Sequence, residues 1–343
     1  MPAEPNYKKR VSIVCTCYKG EEYIEAFLKN VEEQTIFSEI EILLDHNEPT
    51  EKEIELVSEF IERYPDSMNH RVVFPVNMPG ASINRCIRDA HGKYLTTWSV
   101  DDQRTPDALE RMCETLDKNP WVGFTYGDFL MVNGFMKKEG DLHTTPEFET
   151  VLFREGVATG PFIFWRSDLT EKAGYWDEQF YSGSDYDFLA RLARWTIGKK
   201  TSGVLGYFLN IGEGSSTGGS HVRRNIQPIE RTAIEMRYGL YNKTIQLKGY
   251  PYVQAARKYQ TDKMCVNGQW QSVEKYVPNY RKMLGERKTL QKAFEKEYRC
   301  WLLKHYCNVP NRTRDGMKWC LTKMGLLENV KELKRTLGGV FDN

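Results

Sequence analysis

Within the first hundred residues, four apolar runs of strand length alternate with three stretches of helical period, and the fourth run ends on two adjacent carboxylates. Val11 to Tyr18 (VSIVCTCY) is β-branched and almost continuously apolar, as a strand buried on both faces should be. Lys19 and Gly20 turn the chain, and Tyr23, Ile24, Phe27, Leu28 and Val31 then recur on one helical face. Glu39 to Leu44 predicts a second strand, closing at Asp45, His46 and Asn47. Thr50 and Glu53 have the spacing of a capping box, ahead of Ile54, Val57 and Ile61. Arg71 to Val76 predicts a third strand, cut short or bulged by Pro75. Gly80 opens a helix through Ile83, Ile87 and Ala90. Tyr94 to Val100 is the fourth strand, and Asp101 and Asp102 follow it. Such a βαβαβαβ order implies a parallel sheet with right-handed crossovers.

The Asp-Asp pair admits two readings. Two neighbouring carboxylates repel when both ionise unless a cation holds them. At the carboxyl end of a strand in an open α/β sheet, they sit where such sheets bind ligands. Hard oxygen donors suit Mg²⁺ or Mn²⁺ together with substrate phosphates. The plainer reading is an acidic turn before a helix. Thr105 is placed to cap that helix and Pro106 to begin it, with Leu109, Met112, Cys113 and Leu116 inward.

Further along, Trp121 to Val132 predicts a long strand, Gly134 to Phe148 a polar loop, and Pro161 to Trp165 another strand. Ser167 caps a short helix that ends at Gly174. The Tyr181–Asp185 turn leads into a helix with Phe188, Leu189 and Leu192 inward, and Val204 to Ile211 is a last strand. A glycine-rich loop, 212–220, follows. From about residue 223 the strand signal disappears and helical patterns dominate, as in Trp270 to Cys307 and Met317 to Leu337. The expected organisation is therefore residues 1–222 as an α/β domain and 223–343 as an α-helical subdomain.

Charge divides at the same place. The net charge is +1, yet residues 1–222 carry 23 basic and 36 acidic side chains, and residues 223–343 carry 25 and 11. Such a tail either has an anionic partner, for example a membrane surface, or folds back on the acidic domain. No apolar run approaches the ~20 residues of a membrane span, and the first ten residues lack the apolar core of a secretion signal. The eight cysteines are scattered and none forms a CxxC pair, which suggests buried thiols in a reducing compartment. The expected location is cytoplasmic, with the tail a candidate for peripheral attachment to the inner face of a membrane.

Taken in order and at their separations, several of these segments resemble glycosyltransferase family 2, the inverting enzymes of GT-A fold. VSIVCTCYKGEEYIEAFLKNVEEQT resembles the family's opening strand and helix, ending on Gln34 and Thr35. EIEILLDHNEPTE resembles its second strand and acidic turn. GASINRCIRDAHGKYLTTWSVDDQRTPDAL resembles its helix, strand and Asp-x-Asp-type motif, in the Asp-Asp-amide form of the family's spore-coat branch. GYWDEQFYSGSDYDFLARL resembles the acceptor-side segment. The resemblance ends near residue 222. It implies a Rossmann-like, mostly parallel sheet flanked by helices, and transfer of a sugar from a UDP- or dTDP-sugar to a glycan, lipid-linked or protein-linked hydroxyl. It implies Mn²⁺ or Mg²⁺ as cofactor and no nucleic-acid partner.

Carried residue by residue, the resemblance puts Thr16 and Tyr18 beside the nucleotide base, and Asp45 and His46 at the turn that contacts base and ribose. The family usually has a second Asp where this chain has His46. Asn84 borders the sugar-nucleotide site. Asp101 reaches the ribose or the metal, Asp102 ligates the metal, and Asp185 is the catalytic base. Many relatives place a His ligand after the last strand; Gly212 occupies that position here, with His221 nearby. From the residues themselves, the alternative reading of Asp185 is a plain helix cap. Trp176 and Tyr181 read either as acceptor-stacking rings or as core aromatics. Gly160-Pro161 lies where the acceptor pocket wall would be. Two other functions remain open: an inactive sugar-binding or scaffold protein, and a nucleotidyltransferase that makes sugar nucleotides. The latter expects a glycine-rich basic loop after the first strand, where only Lys19 and Gly20 stand.

Overall fold

The computed structural model describes residues 7–150, 159–210, 226–238, 252 and 255–282, with positions 285, 292 and 296. The chain falls into two compact units. One comprises Met1–Arg224 with Lys263–Pro278, the other Asn225–Asp262 with Asn279–Asn343.

In the first unit the alternating pattern becomes β1 (Lys9–Tyr18), α1 (Ile24–Glu32), β2 (Ile40–Asn47), α2 (Glu51–Arg63), β3 (Met68–Val73), α3 (Pro79–Asp89) and β4 (Gly92–Thr97). These strands lie side by side in the order β3-β2-β1-β4, all parallel. The sheet continues through β5 (Gln103–Arg104), β6 (Val122–Val132), β7 (Asp141–His143), β8 (Phe164–Arg166) and β9 (Ile197–Leu209). Its full path is β3-β2-β1-β4-β8-β6-β9-β5, with β7 on β6. β8 runs antiparallel to both its neighbours, while β6 and β9 are parallel to each other. The helices α4 (Ala108–Asp117), α5 (Leu169–Ala173) and α6 (Ser184–Trp195) complete the layers.

Period-two alternation divides the core between the two faces of the sheet. Ile13, Cys15 and Cys17 of β1 and Ile42 and Leu44 of β2 pack with Phe27 of α1, Val57 and Phe60 of α2, and Leu109 and Met112 of α4. Val14 and Leu43 point the other way, towards Ile83 and Ile87 of α3 and Phe188 and Leu192 of α6. Each such fully buried side chain contributes about 1.5–3 kcal/mol relative to exposure.

The capping box forms as expected: the Thr50 hydroxyl accepts from the Glu53 amide, and the Glu53 carboxylate accepts from the Thr50 amide. Several boundaries differ from expectation. β2 runs three residues past Leu44, to Asn47, because Asp45, His46 and Asn47 all find partners inside the fold. β3 starts at Met68 and ends at Val73, before the cis Phe74-Pro75 bond. β4 ends at Thr97, not Val100. Thr105 does not cap α4: its amide donates to the Leu205 carbonyl, extending the β5–β9 pairing, and Asp107 occupies the cap position. The 134–148 loop contains β7, paired to β6.

The expected end of strand signal at residue 223 is also corrected. β10 (Lys263–Val266) and β11 (Gln269–Ser272) form a hairpin in the first unit. Its turn residues Asn267 and Gly268 have φ of 54° and 68°. The hairpin is held to the segment before α6, since the Glu178 carboxylate accepts from the Asn267 and Gly268 amides at 2.8 and 3.1 Å. In the second unit α7 (Gln227–Tyr238) carries a buried Arg237, whose guanidinium donates to the carbonyls of Gln260 and Thr261.

Candidate functional site

The carboxyl ends of β1, β2 and β4 meet at one edge of the sheet, where Thr16 pairs with Asp45 and Cys17 with His46. Beyond β4 the chain turns through Trp98–Asp102. The Asp102 amide donates to the Ser99 carbonyl at 3.1 Å, and the Trp98 indole donates to the Asp102 carbonyl at 3.0 Å. Asp101 is partly exposed and accepts from the Ser99 hydroxyl. Asp102 is only 5% exposed, and its Oδ1 accepts the Leu209 amide of β9 at 3.1 Å. Burial, and then the neighbouring Asp101, push the Asp102 carboxyl well above the usual carboxylate range. A buried carboxyl with a second carboxylate beside it is stabilised as an anion by a divalent cation, so the pair fits Mg²⁺ or Mn²⁺ in donor type and in electrostatics.

The turn is held from below by Arg104, which the sequence did not single out. Its guanidinium is fully buried, 4.7 Å from the Trp98 ring and 5.1 Å from Phe162. It donates to the Thr96 hydroxyl at 2.8 Å and the Thr97 carbonyl at 2.9 Å, the last two residues of β4. Burial lowers its pKa to about 9. Asn30 of α1 brackets its backbone, accepting from the Arg104 amide and donating to its carbonyl.

Asp45 and His46, expected together at an acidic turn, go to opposite faces because β2 extends through both. Asp45 is buried on the α3 side, in ion pairs with Arg85 and, at 3.7 Å, Arg71. His46 is buried on the α2 side. Its Nδ1 lies 3.2 Å from His70 Nε2, and its Nε2 lies 3.6 Å from Glu53 Oε1. In this conformation neither presents a face to solvent. Thr16 is partly exposed, and Tyr18, 45% exposed, is the open ring at this edge.

Asn84 is also buried and fully engaged. Its amide nitrogen donates to the Trp176 carbonyl at 2.8 Å and to Glu178 at 2.9 Å, and its oxygen accepts the Trp176 amide at 2.8 Å. It pins the Trp176–Glu178 segment to α3. Trp176 itself lies in the core, stacked on Phe188 at 6.0 Å, so it is not an exposed acceptor platform. Tyr181 is 38% exposed. Asp185 is exposed in the first turn of α6, where it accepts from the Tyr186 amide. Two residues on, Asp187 is buried with Arg191 at 3.0 Å, and Arg191 in turn donates to the carbonyls of Ala173 and Tyr175. Gly160 has a φ of 72°, and a Cβ there would collide with the Phe129 ring. Gly212 and His221 lie outside the described residues.

The mostly parallel sheet between helical layers has the fold of the GT-A class, and the Asp-Asp turn lies at its carboxyl edge. The sequence pattern described as Glycosyl transferase family 2 matches residues 12–172. The match covers just under half of the chain, and over that stretch the chain is similar to the family 2 glycosyltransferases. An uncharacterized glycosyltransferase of Methanocaldococcus jannaschii is 26% identical over 193 residues, covering 54% of this chain and 64% of that relative. The chain thus spans less than two thirds of its relative's length. Among solved structures, residues 1–349 of TarS from S. aureus superpose with a TM-score of 0.53 at 14% identity, covering 77% of this chain and 96% of that one. The same protein in complex with UDP-GlcNAc gives 0.52 at 16% identity, covering 84% and 91%.

Proposed function

We propose that this chain is an inverting glycosyltransferase. It moves a sugar from a nucleoside-diphosphate donor, UDP- or dTDP-sugar favoured, to a hydroxyl of a glycan, lipid-linked or protein-linked acceptor. The observation that carries the reading is the buried Asp102 beside Asp101 at the carboxyl edge of a sheet whose sequence is similar to family 2. Asp101 and Asp102 would hold a Mn²⁺ or Mg²⁺ ion. Bound there, the ion neutralises charge on the leaving diphosphate. Arg104 and the Leu209 amide fix the turn that presents the two carboxylates. Tyr18 offers a ring to the base.

Asp185 is assigned as the general base. Its carboxylate takes the acceptor hydroxyl proton as that oxygen bonds to the anomeric carbon, while the bond to the diphosphate breaks on the opposite face. Configuration therefore inverts. Asp185 suits this role because it is exposed, sits in the first turn of α6, and follows the segment that Asn84 holds. Tyr181 is the candidate acceptor platform. The basic charge after residue 222 is assigned to peripheral attachment at an anionic surface. Among the described residues, no helix is long and apolar enough to cross a membrane.

Asp185→Asn should leave donor affinity within about twofold and lower transfer by roughly 10²–10⁴, the usual worth of a general base. Transfer at the wild-type rate would remove Asp185 from the mechanism.

A further inference from the structure

The parallel register of β1 and β2 sets Cys17 opposite His46, and the first turn of α2 brings Glu53 to the same place. One ligand atom from each residue, a thiol sulfur, an imidazole nitrogen and a carboxylate oxygen, lies within 4.8 Å of the others. All three side chains are buried. Glu53 Oε1 is 3.9 Å from Cys17 Sγ and 3.6 Å from His46 Nε2.

A second observation points to a ligand. His46 Nε2 is buried with no hydrogen-bond partner, although it faces this cluster. The other ring nitrogen, Nδ1, is held at 3.2 Å by His70 Nε2. An imidazole steadied through one nitrogen, with the other aimed at a thiol and a carboxylate, has the arrangement of a metal-ligating histidine with its outer partner.

We propose that Cys17, His46 and Glu53 hold a zinc-class cation, at a site separate from the Asp101–Asp102 pair and independent of the glycosyl-transfer reading. A sulfur, nitrogen and oxygen set suits Zn²⁺, whereas Mg²⁺ and Mn²⁺ prefer oxygen alone. Binding forms the sulfur–metal bond and releases the thiol proton to solvent, so one thiolate and one carboxylate balance the dication. Glu53 also accepts the Gly20 amide at 2.7 Å and the Thr50 amide at 2.6 Å. The ion would therefore clasp the ends of β1 and β2, the Gly20 turn and the start of α2. His46, which replaces the family's usual Asp, acquires a role as a ligand.

The test uses the full chain, stripped with chelator, reloaded with Zn²⁺ or Co²⁺, and dialysed. Elemental analysis should find roughly one tightly held zinc per chain. The cobalt form should show a thiolate-to-metal charge-transfer band. Cys17→Ser and His46→Ala should lose both signals, His70→Ala should weaken binding roughly 10–100-fold, and Asp102→Ala should retain the zinc. Absence of both zinc uptake and the cobalt band in the wild-type chain would overturn the proposal without any variant having to fold. An undiminished band in Cys17→Ser, or loss of zinc in a folded Asp102→Ala, would overturn it equally.

Discussion

Replacing Asn84 by alanine tests whether this residue is a buried strut or a ligand contact. Its side chain closes three hydrogen bonds at 2.8–2.9 Å: two to the backbone of Trp176 and one to Glu178. Glu178 keeps the Asn267 and Gly268 amides as donors, so losing its Asn84 contact costs little. The Trp176 carbonyl and amide lose partners at a buried position, and each such unsatisfied group costs about 1–3 kcal/mol. The sum is roughly 3–4 kcal/mol, a large share of the ~5–15 kcal/mol that stabilises a typical domain. The assay is urea denaturation of wild type and Asn84→Ala at pH 7, followed by circular dichroism, with the slopes compared to confirm that the unfolding reaction is unchanged. Asn84→Asp should be at least as damaging, because it sets an acceptor against the Trp176 carbonyl and the Glu178 carboxylate. A loss under about 1 kcal/mol for Asn84→Ala, with nucleotide affinity collapsing, would refute the strut and restore the binding role.

Two further outcomes follow from buried groups elsewhere. Burial, and then His46, hold the His70 pKa down to about 4. The folded state thus favours the neutral ring, while the unfolded chain takes up a proton near pH 6.5. Chelator-treated protein should lose roughly 1–2 kcal/mol from His70 between pH 6.5 and 4, after allowance for its partial exposure. Parallel stability–pH curves for wild type and His70→Gln would contradict this. At Gly92 an added Cβ would lie 2.5 Å from the Ser12 hydroxyl, 2.6 Å from its amide and 2.9 Å from the Val11 carbonyl carbon. Gly92→Ala should therefore cost about 2–3 kcal/mol by chemical denaturation; a neutral result would mean that β1 and β4 part more easily than their pairing implies.

The parallel half of the sheet was legible because its strands are apolar runs separated by periodic helices, and the Thr50–Glu53 box marked a helix start. The reading failed where polar residues enter strands. Asp45, His46 and Asn47 looked like a turn, yet arginines from β3 and α3 and the acid of α2 supply partners that only the fold brings near. Nothing local to Arg104 shows that Trp98 and Phe162 enclose it. The hairpin at 263–272 lies in a stretch where helical patterns dominate, although Asn267-Gly268 between alternating residues is a strong turn signal. Asp101 and Asp102 stood out by their position after a strand, while the lining of their turn came from elements remote in sequence.

The most direct test of the central claim is a thermal-shift titration of wild type and Asp102→Ala with nucleoside diphosphates, with and without Mn²⁺. A ligand at ~100 times its dissociation constant adds about 2.7 kcal/mol of stability. The account predicts a Mn²⁺-dependent shift with UDP or dTDP in the wild type, absent in Asp102→Ala. An equal shift in both proteins, or none in the wild type, would contradict it.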